Sequence, residues 1–179
     1  MAGRSRPPTS WSIEVYKDVD IRHKVPGRDC GEVMTSFMEK ALEEARAAGG
    51  RGEVPVGCVV VRDGKVVASA GNRTLADFDP TAHAEIIAIR SACAALGSER
   101  LSDCDLYVTL EPCAMCAGAV AFARIRRLYY GAPDPKGGAV DNGVKFFASP
   151  SCHHRPEVYG GLAEAEASAL LRRFFQDKR

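Results

Sequence analysis

Two cysteines in the stretch TLEPCAMCAG (109–118) are the first side chains in this sequence that could do chemistry. Cys113 and Cys116 follow a proline at the end of an apolar run that is typical of a buried strand. If a helix begins at Cys113, both thiols lie in its first turn, where the helix dipole and exposed backbone amides favour a thiolate. Such a pair suits a metal site, a thioredoxin-like dithiol or inert packing, and this motif alone leaves all three open.

A histidine and a glutamate in the stretch DPTAHAEI (79–86) form a second reactive group. His83 and Glu85 follow a polar loop and precede the apolar residues of a predicted helix. Each has an ordinary structural interpretation, because a lone His often caps or packs a helix start and a Glu there suits the helix dipole. Together with PCxxC downstream, however, they complete the pattern H-x-E…P-C-x-x-C, which resembles the signature of zinc nucleobase deaminases.

The combined set of side chains indicates hydrolysis at a metal ion. His83, Cys113 and Cys116 offer zinc three ligands and leave the fourth tetrahedral position for water, as in a catalytic site. Zinc lowers the pKa of that water to about 7, so hydroxide is available at neutral pH. Glu85 is two residues from His83 and leaves a helix in another direction, so it would lie beside the metal and move protons. A redox dithiol leaves His83 and Glu85 without a role.

Helices and strands alternate in the predicted elements that position these side chains. In order they are a helix from Thr35 or Ser36 to Gly49-Gly50, strands at 54–61 and 65–71, a helix at 83–96, a strand at 105–110, a helix at 113–123, a strand at 126–132, a loop at 132–157 and a helix at 162–175. The Asp63-Gly64 pair predicts a hairpin between the first two strands. The later alternation predicts parallel crossovers, so we expect one sheet with helices on its faces.

The composition of the whole chain excludes several classes of protein. Its 179 residues are 46% hydrophobic and 26% charged, as in ordinary globular proteins. No apolar run approaches the roughly 20 residues of a membrane span. Seven cysteines, an odd number without a preceding signal segment, favour a reducing cytoplasm over a disulfide scaffold. The net charge of +1 means that nucleic-acid binding would need local clusters of Lys and Arg.

Two stretches of the chain lie outside the main pattern. Residues 1–33 mix Pro, Gly and charges without sustained periodicity, so we interpret them as a disordered tail or a non-native N-terminal extension before a domain at 34–179. The cluster Cys152-His153-His154 contains metal-ligand types in a polar loop. Because adjacent His side chains usually point apart, loop structure or a substrate contact is the favoured interpretation there.

Longer segments of the chain resemble the bacterial tRNA adenosine deaminases of the cytidine deaminase-like superfamily. The matching segments are EVPVG (53–57), GN (71–72), DPTAHAEI (79–86), LYVTLEPCAMCAGA (106–119), LYYGAPDPKGG (128–138) and LLRRFF (170–175). The resemblance extends from Met34 to the C-terminus. It implies an α/β fold with three α/β/α layers and a central mixed five-stranded sheet, built from an antiparallel hairpin plus parallel crossovers.

The resemblance also implies an activity and a set of site residues. The activity is hydrolytic deamination of the wobble adenosine in an arginine tRNA anticodon to inosine, with release of ammonia, by a cytoplasmic homodimer with one Zn2+ per chain. Matched by position, the zinc ligands are His83, Cys113 and Cys116. Glu85 would pass protons from the activated hydroxide to the ring and the departing amine. Asn72 matches a residue that contacts the base, although it also suits a turn beside Gly71.

Further candidate contacts lie at the pocket wall and at the RNA surface. Val56 matches a wall of the base pocket, and the candidate RNA contacts are Lys136, Arg172, Arg173, Phe174, Phe175, Lys178 and Arg179. LLRRFF also fits an amphipathic helix with a Phe in the core and a solvated Arg pair. The loop at 138–157 departs from the best-known form of the family, which leaves open its contacts with RNA or a second subunit.

Two other functions share most of these features. A zinc-dependent deaminase of a free base or nucleoside, such as guanine or cytosine, would have the same fold, ion and Glu85. A catalytically idle subunit that binds RNA for an active partner would be expected to lack Glu85, which is present.

Overall fold

The computed structural model describes residues 30–176, in which helices surround one sheet. The elements are α1 (Cys30–Gly50), β1 (Gly57–Arg62), β2 (Lys65–Gly71), α2 (Ala84–Leu96), β3 (Cys104–Leu110), α3 (Ala114–Phe122), β4 (Arg127–Ala132), a 3-10 turn (Phe146–Ala148), β5 (Glu157–Tyr159) and α4 (Glu164–Gln176). Within this range, no helix combines the length and the apolar character that crossing a membrane requires.

The sheet has five strands in the order β2-β1-β3-β4-β5. β1 pairs antiparallel with both β2 and β3, whereas β3, β4 and β5 run parallel. The β1–β2 turn places Asp63 and Gly64 at positive φ (50° and 71°), as expected for an Asp-Gly hairpin. The predicted mixed five-stranded sheet, with its hairpin and parallel crossovers, is confirmed.

The faces of the sheet carry two separate hydrophobic cores. Side chains alternate along β1, so Val59 and Val61 pack with α1 and α4, while Cys58 and Val60 pack with α2 and α3. The cores contain, on the first face, Met38, Leu42, Tyr107, Tyr129 and Ala167 and, on the second, Ala88, Leu106, Val120, Leu128 and Tyr130. This arrangement gives the predicted three α/β/α layers.

Two predicted boundaries are wrong. α1 already includes Cys30, so Thr35 and Ser36 lie inside the helix rather than at its start. β1 begins at Gly57 instead of residue 54, because the Val56 N–H turns back to the Val54 carbonyl at 2.8 Å and leaves the ladder.

The predicted loop at 132–157 contains both the 3-10 turn and the start of β5. β5 forms by pairing with Arg127–Tyr129 of β4. This is a tertiary contact, and the sequence of β5 has no hydrophobic periodicity that would predict a strand. Residues 1–29, which are most of the predicted tail, lie outside the described residues.

Two glycines allow α1 to lie directly on the strand ends next to the functional site. A Cβ at Gly57 would overlap the backbone of Ala41, and one at Gly71 would lie 2.7 Å from the Glu44 carbonyl oxygen. The Gly57 N–H also donates to the Thr109 hydroxyl at 3.1 Å, which joins the beginning of β1 to the end of β3. A side chain at either glycine would push the helix away from this edge of the sheet.

Candidate active site

Two helix starts meet at the carboxyl end of β3. His83 precedes α2 and Cys113 precedes α3, and both have extended backbones (φ −74° and −71°). Within the described residues, neither side chain caps its own helix, so the imidazole and the thiol are free to face each other. Cys116 lies one turn into α3 and is fully buried. The predicted helices at 83–96 and 113–123 therefore place the reactive side chains at adjoining N-termini.

The predicted ligand atoms converge on one point. The His83 Nδ1 lies 3.7 Å from the Cys113 sulfur and 3.5 Å from the Cys116 sulfur. Tetrahedral zinc, with Zn–S of about 2.3 Å and Zn–N of about 2.0–2.1 Å, separates its ligand atoms by about 3.5–3.8 Å. Within the described residues, this is the one His, Cys, Asp or Glu group close enough to hold an ion. The donor set and its spacing fit zinc.

A cavity of about 190 Å³ opens beside these atoms. Its lining consists of Val54, Val56, Asn72, Thr74, His83, Glu85, Leu110, Glu111, Cys113 and Asp134. The volume is below the roughly 300–1,000 Å³ of pockets for drug-sized ligands, so it suits one small group. The predicted residues Asn72, Val56 and Glu85 all reach this cavity.

The ionisable groups at the cavity floor perturb one another. Hydrogen bonding from Cys116 and His83 lowers the pKa of the Cys113 thiol to about 4, despite the opposing effect of burial. The same contact with Cys113 raises the pKa of His83. The Cys113 contact and burial raise the pKa of Cys116. A bound cation requires deprotonated ligands, so its binding would release protons from this cluster.

Glu85 is almost fully buried, with 4% of its surface exposed. Burial raises the pKa of its carboxyl group. The carboxyl is close enough to the Cys116 sulfur for the two groups to affect each other's ionisation. A carboxyl with a raised pKa next to a metal site can accept a proton and return it.

Asn72 forms hydrogen bonds that stabilise the fold, and it also lines the cavity. Its side-chain Oδ1 accepts the N–H of Ala84, the first residue of α2, at 2.8 Å. Its own N–H donates to the Val56 carbonyl at 3.1 Å. The Asn72 side chain therefore connects the end of β2 to the start of α2, and the residue also lines the cavity.

Two buried carboxylates that sequence reasoning missed also lie at this site. Glu53 and Glu111 are 1% and 2% exposed. Burial alone raises a carboxyl pKa, yet the pKa values of both are lowered, because several N–H groups donate to each. The sequence did contain a signal for both residues, because each is an acidic residue within an apolar motif that is expected to be buried. The motif is EVPVG for Glu53 and LEPC for Glu111. A buried charge needs hydrogen-bond partners, so each Glu could have been expected to bind groups of the neighbouring loops.

The candidate RNA contacts lie outside the cavity lining. Lys136 is exposed, and its backbone N–H donates to the Asp134 carboxylate at 3.0 Å. Arg173 and Phe175 are exposed on α4, whereas Phe174 is half-buried, with its ring 5.3 Å from that of Phe175 in a T-shaped pair. Lys178 and Arg179 lie outside the described residues.

The Cys152-His153-His154 cluster stabilises a loop. The Cys152 thiol donates to the His154 carbonyl at 3.0 Å, and a ring nitrogen of His154 bonds the Ile125 carbonyl at 2.7 Å. These contacts connect the segment before β5 to the α3–β4 connection. They support loop structure as the role of this cluster.

Comparison with known proteins gives the family. Residues 32–132 match the model of the cytidine and deoxycytidylate deaminase zinc-binding region. A tRNA-specific adenosine deaminase of Agrobacterium fabrum is 66% identical over 145 residues, which are 81% of this chain and 95% of that protein. The chain belongs to the tRNA-specific adenosine deaminase family of the cytidine deaminase-like superfamily. It is a zinc-dependent deaminase.

Solved structures agree with this assignment. A structure from studies of A-to-I editing by tRNA:A34 deaminases at the wobble position has a TM-score of 0.76 and 66% identity, covering 76% of this chain and 99% of the other. A guanine deaminase of Nitrosomonas europaea has a TM-score of 0.69 and 28% identity, with 78% and 83% of the two chains covered. The deaminase fold is therefore shared with enzymes whose names indicate different bases.

Proposed function

We propose that this deaminase converts the wobble adenosine of an arginine tRNA anticodon to inosine and releases ammonia. The observation that supports this best is a small cavity lined by His83, Cys113 and the buried Glu85, in which His83 and Cys113 also form the candidate metal group with Cys116. The high identity to a tRNA-specific adenosine deaminase and to the tRNA:A34 deaminase structure supports the choice of substrate.

The metal role belongs to three side chains. His83, Cys113 and Cys116 would hold one zinc ion per chain, with the thiolate character of Cys113 favouring cation binding. When bound, zinc supplies a Lewis acid that turns a water molecule into a nucleophile near neutral pH. Because three protein ligands leave one tetrahedral position open, the set suits a catalytic ion.

Glu85 is the proton carrier in this proposal. Its buried carboxyl would take a proton from the attacking water and deliver it to the ring nitrogen next to the carbon under attack. The second proton of that water, lost from the hydroxyl now on the ring carbon, would pass through Glu85 to the exocyclic amine, so that the C–N bond breaks, ammonia leaves and a carbonyl remains on the ring. The raised pKa suits this cycle, since the group must hold the proton between the two transfers.

Asn72 and Val56 would orient the base. The Asn72 amide NH2 would donate to an acceptor on the ring, since the oxygen accepts the Ala84 N–H and the residue lines the cavity. Val56 supplies an apolar wall. The base must leave its stack to enter so small a cavity, which single-stranded anticodon loops allow at low cost.

The RNA outside the cavity would meet exposed cations and rings. Lys136, Arg173, Phe174 and Phe175 are our candidates for phosphate contacts and for stacking with flanking bases. Homodimer formation and a cytoplasmic location complete the proposal and depend on the family resemblance.

The competing proposal is that the enzyme deaminates a free base or nucleoside. The likeness to a guanine deaminase favours this alternative. The test is to incubate the zinc-loaded enzyme with an arginine tRNA anticodon stem-loop and, separately, with guanine, cytosine and adenosine. We expect inosine at the wobble position by nucleoside analysis, with little ammonia from the free compounds. Ammonia release from free bases alone would contradict the tRNA proposal.

A further inference from the structure

Two irregular loops form opposite rims of the cavity. One follows β2 and contributes Asn72 and Thr74 to the lining, and the other follows β4 and contributes Asp134. Each loop is folded around one buried carboxylate that comes from a different part of the chain. Glu53 precedes β1, and Glu111 directly follows β3.

Glu111 uses all of its acceptor capacity within the rim that follows β4. Its Oε1 accepts the backbone N–H groups of Val140, Asp141 and Asn142 at 3.1, 2.9 and 2.9 Å. Its Oε2 accepts the Asp134 N–H at 2.9 Å and the Asn142 side-chain amide at 2.6 Å. Five donors converge on a group with about four lone-pair sites, so one carboxylate determines the course of the rim.

The loop also closes tightly over Glu111. A Cβ at Gly138 would lie 2.5 Å from the carboxylate carbon of Glu111, so only glycine fits there. Gly138 forms a bridge with the backbone of Cys113, which connects the rim to the candidate metal ligand. The Tyr130 hydroxyl donates to Asp141 and anchors the far side of the rim to β4.

Glu53 has the equivalent position in the rim that follows β2. It accepts the N–H groups of Leu75 and Ala76 at 3.0 and 2.9 Å and the Thr74 hydroxyl at 3.1 Å. Glu53 lies in the connection between α1 and β1, and Glu111 directly follows β3, whereas the groups they bind belong to the loops after β2 and β4. The two carboxylates therefore hold the two rims through a few charge-assisted hydrogen bonds.

We propose that Glu53 and Glu111 are positioning residues that hold the two rims ready for the substrate, so that binding depends on them more than chemistry does. The inference deepens the proposed function and rests on it for its substrate. A carboxylate accepts from every donor that it faces. A glutamine has the same size and keeps one acceptor oxygen, but its NH2 faces the donors of the other oxygen and leaves those donors unpaired.

The test compares Glu111→Gln and Glu53→Gln with the wild-type enzyme on the anticodon stem-loop. We expect KM to rise at least tenfold in each variant, kcat to stay within threefold, and the zinc content to stay at the wild-type level. Glu157→Gln is the matched control, because Glu157 is an exposed carboxylate at the sheet edge that bonds the Arg127 and Tyr159 side chains. It should leave KM and kcat unchanged. Equal losses of kcat, zinc and affinity in the rim variants would overturn the proposal.

Amide hydrogen exchange gives a readout that needs no substrate. In Glu111→Gln, amide exchange at Val140, Asp141 and Asn142 should accelerate at least tenfold. In Glu53→Gln, exchange at Leu75 and Ala76 should accelerate by the same factor. Exchange in the core strands should stay unchanged in both variants. Wild-type protection in both variants would overturn the positioning role.

A second route disturbs the Glu111 rim without removing its charge. Gly138→Ala should raise KM in the same way as Glu111→Gln, and an unchanged KM would count against the proposal. If the wild-type enzyme does not act on the stem-loop, the proposed function fails, while the exchange experiment still decides whether these carboxylates hold the rims.

Discussion

The imidazole Nδ1 of His83 lies 3.5 Å from the sulfur of Cys116, although 33 positions separate the two residues along the chain. The contact exists because α2 and α3 both begin at the carboxyl end of β3, with their first turns side by side. Zinc chemistry is possible at this point since a third ligand, Cys113, adjoins both atoms.

Removal of one ligand should abolish metal binding. We expect Cys113→Ala to lower zinc content by at least tenfold and to reduce deamination below 1% of the wild-type rate, because two remaining ligands bind zinc weakly. Elemental analysis after gentle purification and a stem-loop assay provide the measurement. Cys152→Ser is the matched control, since that thiol bonds a loop carbonyl, and it should keep its zinc. Full zinc content in Cys113→Ala would refute the ligand assignment.

Loss of the Glu85 carboxyl should separate metal binding from turnover. Glu85→Ala and Glu85→Gln should retain zinc yet lose a factor of about 10²–10⁴ in kcat, the usual contribution of general acid–base catalysis. Single-turnover rates together with zinc content are the readouts. Undiminished turnover in either variant would show that another group carries the protons.

Two substitutions at Asn72 should distinguish its structural bond from its contact with the base. Asn72→Ala removes the acceptor of the Ala84 N–H and should lower the free energy of unfolding by about 1 kcal/mol, the typical value of a helix cap. Asn72→Asp keeps an acceptor there and should retain that stability.

Both Asn72 variants lack the amide NH2 that we propose as a donor to the base, so kcat/KM on the stem-loop should fall at least tenfold in each. Urea unfolding and steady-state kinetics measure the two effects separately. Wild-type kinetics in Asn72→Asp would restrict the role of Asn72 to the cap.

The contribution of Glu53 to stability should disappear in acid. Its pKa lies below the ordinary value of 4.5 because the N–H donors of Ala76 and Leu75 outweigh the effect of burial. A carboxyl with a lowered folded-state pKa stabilises the protein above its unfolded-state pKa, and this stabilisation decreases as the pH falls through the folded-state value.

Urea unfolding of wild type and Glu53→Gln should therefore differ by about 2 kcal/mol at pH 7, since hydrogen bonds to a charged group are lost. The difference should shrink steadily below about pH 4.5. A difference that stays constant down to pH 3 would contradict this assignment.

Much of the fold was predictable because local patterns determine it. The Asp63-Gly64 turn permits few conformations other than a hairpin, and the apolar stretches of β3 and β4 separated by a helix favour a parallel crossover. β5 was not located, because a three-residue strand exists only through its pairing with β4. The start of α1 was also missed, since helix ends depend on neighbouring structure more than on single polar residues.

The amino-acid sequence by itself predicted the chemistry, because the types and spacing of His83, Glu85, Cys113 and Cys116 indicate a three-ligand metal site with an adjacent acid. Only the tertiary structure revealed the roles of Glu53 and Glu111, since their partners are backbone N–H groups, and any residue type supplies those. It also decided that Asn72 caps α2 while it faces the cavity, and that Cys152 and His154 stabilise a loop. Side-chain chemistry is encoded locally, whereas the backbone groups around a buried charge come together only when the chain has folded.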